Sequence, residues 1–139
     1  MIQENDLVIL FETHKHITYV YVKKDEVYQN RYGAFPHSDM IGKKYGSIMK
    51  SKSVKHNGYI YLLAPTPELW SKALKHRTQI VQTLDASAIL FHLHIVPGCI
   101  VLEAGTGSGS LSTHFSRALA PTGHLYTFEF NQHRAETAR

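Results

Sequence analysis

A single cysteine, Cys99, stands in the 139 residues, so an internal disulfide framework and a cysteine-based zinc site are both excluded. No apolar run approaches the ~18 residues needed to cross a bilayer, and the N-terminus carries no secretory pattern. A soluble intracellular protein with no membrane partner is expected. The chain has no internal repeat and no low-complexity segment. Its prolines are few and fall at breaks, in Pro36-His37-Ser38-Asp39, at Pro65 and Pro67, in Pro97-Gly98 and in Pro121-Thr122-Gly123. A hydrophobic content of 43% and a charged content of 19% are ordinary for a globular chain.

Acids are scarce in one region. Residues 41–77 hold eight basic side chains (Lys43, Lys44, Lys50, Lys52, Lys55, Lys72, Lys75, Arg77) against the single acid Glu68. Residues 1–77 carry 12 Lys/Arg and 7 Asp/Glu, a balance of +5, whereas the remainder has 3 and 4. Such a bias suits a polyanion, nucleic acid above all, or a solvated lysine-rich surface.

The first half reads as β-structure. Leu7–Phe11 and Ile17–Val22 are rich in β-branched and aromatic residues, with Glu12–His16 as the connection between them. Val27–Phe35, residues around Ile48–Ser51, and Tyr59–Leu63 give further strands, and Asn57-Gly58 is a tight-turn signal. The pairs Tyr19/Tyr21 and Tyr59/Tyr61 each fall on one strand face; stacking on RNA and core packing are both open, and core packing is the preferred reading. Thr66 caps a short helix that begins at Pro67 and runs to about Leu74, and Lys75-His76-Arg77 connects the halves.

The second half alternates α-β-α-β-α. Asp85 is the expected cap of a helix over 86–95. A strand follows at 99–103. Leu111, Phe115 and Leu119 mark one buried face of the next helix. The second strand is 124–129, and Asn131 caps a last helix over 132–139. Helical crossovers between parallel strands imply a doubly wound sheet, here only begun. The fold class is therefore α/β: a small N-terminal antiparallel β-domain (1–64), a linker with a short helix (65–84), and the first part of a Rossmann-like domain (85–139). The strand at 99–103 then lacks a neighbour on one side, which predicts an exposed apolar edge and marginal folding or aggregation.

The stretch Ile100 to Ser110 joins the first of these strands to its helix through Gly105, Gly107 and Gly109. Glycine lets backbone lie against a ligand, and the helix start aims amide N–H groups at it. Glu129, at the end of the second strand, stands where a nucleoside cofactor's ribose hydroxyls would be held. The spacing Glu-x-Gly-x-Gly-x-Gly differs from the dinucleotide pattern G-x-G-x-x-G and resembles motif I of class I S-adenosylmethionine-dependent methyltransferases. With that cofactor, Glu103 would attract the ammonium directly or through water.

Further stretches narrow the resemblance: Thr66-Pro67-Glu68-Leu69-Trp70, His76-Arg77-Thr78-Gln79-Ile80, Ala120-Pro121-Thr122-Gly123-His124, and Glu129-Phe130-Asn131-Gln132-His133-Arg134-Ala135-Glu136. Together with the glycine loop they resemble the catalytic-subunit family of tRNA N1-adenine methyltransferases, which modify the T-loop adenosine, along nearly the whole chain. The resemblance implies S-adenosyl-L-methionine as cofactor and tRNA as substrate. It also implies a related non-catalytic subunit as partner in a tetramer of two each, and a nuclear location. By motif position it implies cofactor contacts from Val81, Glu103, Ser108, Gly109, Ser110, Glu129 and Arg134, with Gly105 and Gly107 shaping the loop. The family's catalytic aspartate lies beyond Arg139, so no catalytic residue is expected in this chain, which by itself would be an inactive N-terminal fragment. Gln82 stands where the family often has tyrosine.

Two other readings stay open. A non-catalytic tRNA-binding subunit would have a degraded glycine loop, whereas Gly105, Gly107, Gly109 and Glu129 are all present. A nicotinamide-dependent oxidoreductase would need a pyrophosphate site that this glycine spacing disfavours. Ten histidines raise a metal question, but His14 and His16 find no third ligand at metal-site spacing, and His92 and His94 cannot share a helix face. Ser108 and Ser110 sit in a glycine loop, not in a nucleophile elbow.

Overall fold

The structure is a computed structural model that describes residues 1–52, 57–74 and 79–137. The chain forms two compact units, Met1–Ala73 and Leu74–Arg139. The first contains strands β1 (Leu7–Thr13), β2 (His16–Tyr21), β3 (Val27–Asn30), β4 (Gly33–Pro36), β5 (Ser47–Lys50) and β6 (Tyr59–Leu63), then helix α1 (Pro67–Ala73). The second contains α2 (Thr83–His92), β7 (Ile100–Ala104), α3 (Ser110–Leu119), β8 (His124–Phe128) and α4 (Gln132–Thr137).

In the first unit, β2-β1-β6-β5 make an antiparallel sheet in that order, and β3 and β4 make a separate hairpin. Period-two alternation sends Val8 and Leu10 of β1, Met49 of β5, and Ile60 and Leu62 of β6 to one face, where they pack with Ile2, Val22, Phe35 and Met40. The residue run expected to be one strand over Val27–Phe35 is instead the β3–β4 hairpin. The Asn30 side chain accepts the Tyr32 N–H (2.8 Å), closing an Asx-type turn that the apolar content of the run concealed.

The tyrosines expected in the core lie on the opposite face of the sheet. Tyr21 and Tyr59 are half exposed, and Tyr19 packs on Trp70 of α1 (4.8 Å between ring centres). Helix α1 starts as its sequence predicts, with the Leu69 N–H donating to Thr66 Oγ1 (3.3 Å). The Asn57-Gly58 pair leads into β6, the Gly58 carbonyl accepting the Ser51 N–H (2.8 Å), and the expected turn there adjoins residues 53–56, which lie outside those described. Lys75-His76-Arg77 also lies outside them.

In the second unit, β7 and β8 are parallel, with Ile100 opposite His124 through Ala104 opposite Phe128. Helix α3 covers one face of the pair: Phe115 and Leu119 are buried with Val101, and Leu111 packs against them, as the four-residue spacing predicts. Helix α2 begins earlier than expected. Gln82 occupies the cap position without a side-chain bond and Asp85 sits in the first turn, where a negative charge favours the helix dipole without capping it. The helix ends at His92 rather than Ile95 because His94 adopts a left-handed conformation (φ 52°). Asn131 caps α4, its Oδ1 accepting the Arg134 N–H (3.1 Å).

Candidate functional site

The carboxyl ends of β7 and β8 lie side by side, and the loop from Gly105 to Gly109 leaves the first of them. That is the place where open parallel sheets receive ligands. Two amides of the loop, Gly105 and Thr106, donate to the Phe128 carbonyl at 2.7 and 3.1 Å, so the loop is pinned to the end of the neighbouring strand. Gly105 (φ 94°) and Gly109 (φ 74°) hold left-handed backbone that any other residue would strain. A Cβ at either would meet no atom within 4 Å: the space over these two positions is open.

Glu129 follows β8 directly. Its Oε2 accepts the Gly107 N–H (2.9 Å) and its Oε1 the Asn131 N–H (3.0 Å). The Asn131 amide, then the Gly107 amide, hold its carboxyl below the usual carboxylate range, and the Arg134 charge adds to this. The group is thus an anion at neutral pH, fixed by backbone donors. An ionised carboxylate has about four lone-pair sites. The Gly107 and Asn131 amides take one on each oxygen and the Phe130 amide also acts on the carboxyl, so acceptor capacity remains for a ligand hydroxyl such as a ribose would supply.

Glu103 has a different position. It is only 8% exposed, and its Oε2 accepts both Ser112 Oγ (2.5 Å) and Thr127 Oγ1 (2.7 Å). Thr106 Oγ1 lies 2.6 Å from Thr127 Oγ1. With the Thr127 proton committed to the carboxylate, Thr106 is the donor in that contact. Glu103 therefore ties together β7, β8, the loop and the first turn of α3. Both of these carboxylate bonds fall on Oε2.

The remaining expected residues are gathered less evenly. Ser110 is buried, and its Oγ donates to the Val81 carbonyl (2.7 Å), which brings the segment before α2 to the start of α3. Ser108 is half-buried in the loop. Arg134 is exposed on α4, near enough for its charge to act on Glu129. Thr106, Ser112 and Thr127 carry the brace and were not among the expected site residues. Strand register held the signal for one of them, since Thr127 is the direct cross-strand partner of Glu103.

Residues 58–139 match the tRNA methyltransferase complex GCD14 subunit family. The chain belongs to that family. It is 43% identical over 139 residues to the tRNA (adenine(58)-N(1))-methyltransferase catalytic subunit of Dictyostelium discoideum, covering 100% of this chain and 44% of that relative. Against the corresponding subunit of Schizosaccharomyces pombe the identity is 45% over 137 residues, covering 99% and 37%. The chain thus spans less than half the length of these relatives. Among solved structures, it resembles the tRNA (m1A58) methyltransferase TrmI of Aquifex aeolicus with a TM-score of 0.69, 25% identity and coverage of 99% and 51%. It also resembles an S-adenosylmethionine-dependent O-methyltransferase of Thermotoga maritima with a TM-score of 0.82, 25% identity and coverage of 99% and 50%. The fold of this chain, an antiparallel β-unit followed by the first parallel strands of an α/β unit, corresponds to half of each of those structures.

Proposed function

We propose that the loop Gly105–Gly109 and Glu129 bind S-adenosyl-L-methionine. We further propose that a protein built on this chain, with a related non-catalytic subunit, transfers the methyl group to N1 of adenine 58 in tRNA. The observation that carries the reading is the Glu129 carboxylate, ionised and held by backbone amides at the mouth of the glycine loop, with acceptor capacity remaining. The cofactor, when bound, supplies an electrophilic methyl group. The residues of this chain position it. Glu129 receives the ribose hydroxyls, the open backbone over Gly105 and Gly109 admits the nucleoside and amino-acid portions, and Arg134 flanks the carboxylate. The basic bias of residues 1–77 suits tRNA phosphates.

Calorimetric titration of S-adenosylmethionine into the chain tests the first step. Saturable binding is expected, weakened about tenfold or more in Glu129→Ala, because each hydrogen bond to a charged acceptor contributes about 1.5–3 kcal/mol. Affinity unchanged in Glu129→Ala would overturn the assignment. Labelled-methyl transfer to a tRNA transcript by a complete relative-length protein with its partner subunit tests the second step.

A further inference from the structure

The outer face of the N-terminal sheet is covered unevenly. Over β2, Trp70 of α1 packs on Tyr19. Toward β5 and β6 the same face is open and aromatic. Phe11 and His14 contact edge to face (5.5 Å), Phe11 meets Tyr61 (6.1 Å), and Tyr61 meets Tyr59 (5.7 Å), all at steep interplanar angles. Cross-strand register sets Lys50 opposite Tyr59 and Ile48 opposite Tyr61. These side chains, with Asn57, line a recess of about 490 Å3. Tyr59 is 52% exposed and Ile48 is 50% exposed. Among the described residues no carboxylate pairs with Lys50, whereas neighbouring Lys52 is held by Asp39 (2.6 Å).

We propose that this face is a stacking platform for unpaired nucleotides of an RNA strand. The proposal deepens the reading that the basic residues 1–77 face RNA by naming the face and the ring that stacks, and it stands on the first unit alone, whether or not the loop binds S-adenosylmethionine. Three features select the occupant. Half-exposed tyrosine offers a ring face at low conformational cost, which suits any nucleobase. A free ammonium directly across the ladder from that ring suits the phosphate linked to the stacked base. The sequence that contains these residues is strongly basic, with eight cationic residues and one acid over 41–77, which complements a polyanion. A recess of this size lies within the ~300–1,000 Å3 of small-ligand clefts, which leaves room for a splayed base.

The test uses the whole 139-residue chain and a short single-stranded RNA carrying 2-aminopurine, with the same sequence in a paired duplex as comparison. Stacking quenches the fluorescent base on binding. The single strand is expected to bind more tightly than the duplex. Tyr59→Ala is expected to weaken it by roughly five- to 150-fold and to abolish the quench, the range expected for one base–aromatic stack. Tyr59→Phe is expected to retain binding and quench, because the ring does the stacking. Lys50→Ala is expected to flatten the dependence of log affinity on log salt by about 0.7. Glu129→Ala is expected to leave all of this unchanged, which separates the platform from the cofactor reading. Tyr59 is half exposed, so its variants are expected to keep the fold, which thermal melts check. Single-strand affinity unchanged in Tyr59→Ala would overturn the proposal and leave the face to a protein partner. Equal affinity for duplex and single strand, or a Tyr59→Phe chain as weak as Tyr59→Ala, would overturn it as well.

Discussion

Replacing Glu103 separates a bracing carboxylate from a ligand-binding one. Glu103→Ala removes the acceptor for Ser112 Oγ and Thr127 Oγ1, at 2.5 and 2.7 Å. Hydrogen bonds to a charged acceptor contribute about 1.5–3 kcal/mol each, and a stranded buried donor costs about 1–3 kcal/mol. The two terms do not simply add. Thr127 can turn its proton toward Thr106, 2.6 Å away, and Ser112 lies in the first turn of α3, where water reaches it. A loss of about 2–4 kcal/mol is expected for the alanine variant, and about 1 kcal/mol for Glu103→Gln, which keeps an uncharged oxygen in place. In a unit as small as Leu74–Arg139, about 1 kcal/mol moves the melting temperature by about 4–8 °C.

The assay is a circular-dichroism melt of each variant, with hydrogen exchange at the Gly105 and Thr106 amides. Both amides bond to the Phe128 carbonyl and report directly on the loop. The order of stability should be wild type, Gln, Ala, and the two amides should exchange faster in the same order. An alanine variant that melts with the wild type yet loses S-adenosylmethionine would refute the bracing argument. It would return Glu103 to a direct ligand role.

Two further outcomes follow from the packing. His37 is buried and its Nδ1 accepts the Lys23 N–H (3.2 Å), and burial pushes its pKa below the ordinary 6.5. The unfolded chain therefore takes up a proton that the folded one refuses, and stability falls as pH drops below 6.5 toward the lowered folded value. Asparagine at position 37 keeps an acceptor without titrating, so melts between neutral and mildly acidic pH should show a smaller decline in His37→Asn than in the wild type. In Gly123→Ala the new Cβ would lie 2.6 Å from the Cys99 carbonyl oxygen and 2.7 Å from that of Leu119. Backbone on both sides cannot give way cheaply, so about 1–3 kcal/mol is lost, read as a lower denaturant midpoint at unchanged slope.

The layout of both units was legible in the chain because hydrophobic period and punctuation agree over most of it. Tyr59–Leu63 has the bounds its alternation predicts, and Thr66 and Asn131 cap the helices they were expected to cap. Misreadings arose where two signals competed. Asp85 is a good cap by type, but Gln82 precedes the helix because Thr83 and Leu84 already continue it. Val27–Phe35 reads as one strand by composition, whereas the Asn30 side chain turns the chain back. The face of a tyrosine pair is legible by parity, but which face is the core depends on the hairpin that supplies Phe35 to one side only. The glycine loop was legible as a site; the hydroxyl brace beneath it was not, because it depends on the register of two parallel strands.

Register also explains why two acids so close in space do different things. Along β7, Val101 and Glu103 point to the side covered by α3, while Ile100 and Leu102 point away and are 76% and 71% exposed. The parity that buries Val101 therefore buries Glu103, and a buried carboxylate must find partners; Ser112 and Thr127 provide them. Glu129 lies past the last residue of β8, where no side-chain parity applies and the chain turns toward α4. Its partners are backbone amides, which cannot rotate away. Both bonds of Glu103 fall on Oε2, so that oxygen joins the two strands and α3 through hydroxyls, whereas the Glu129 carboxylate is held from the backbone.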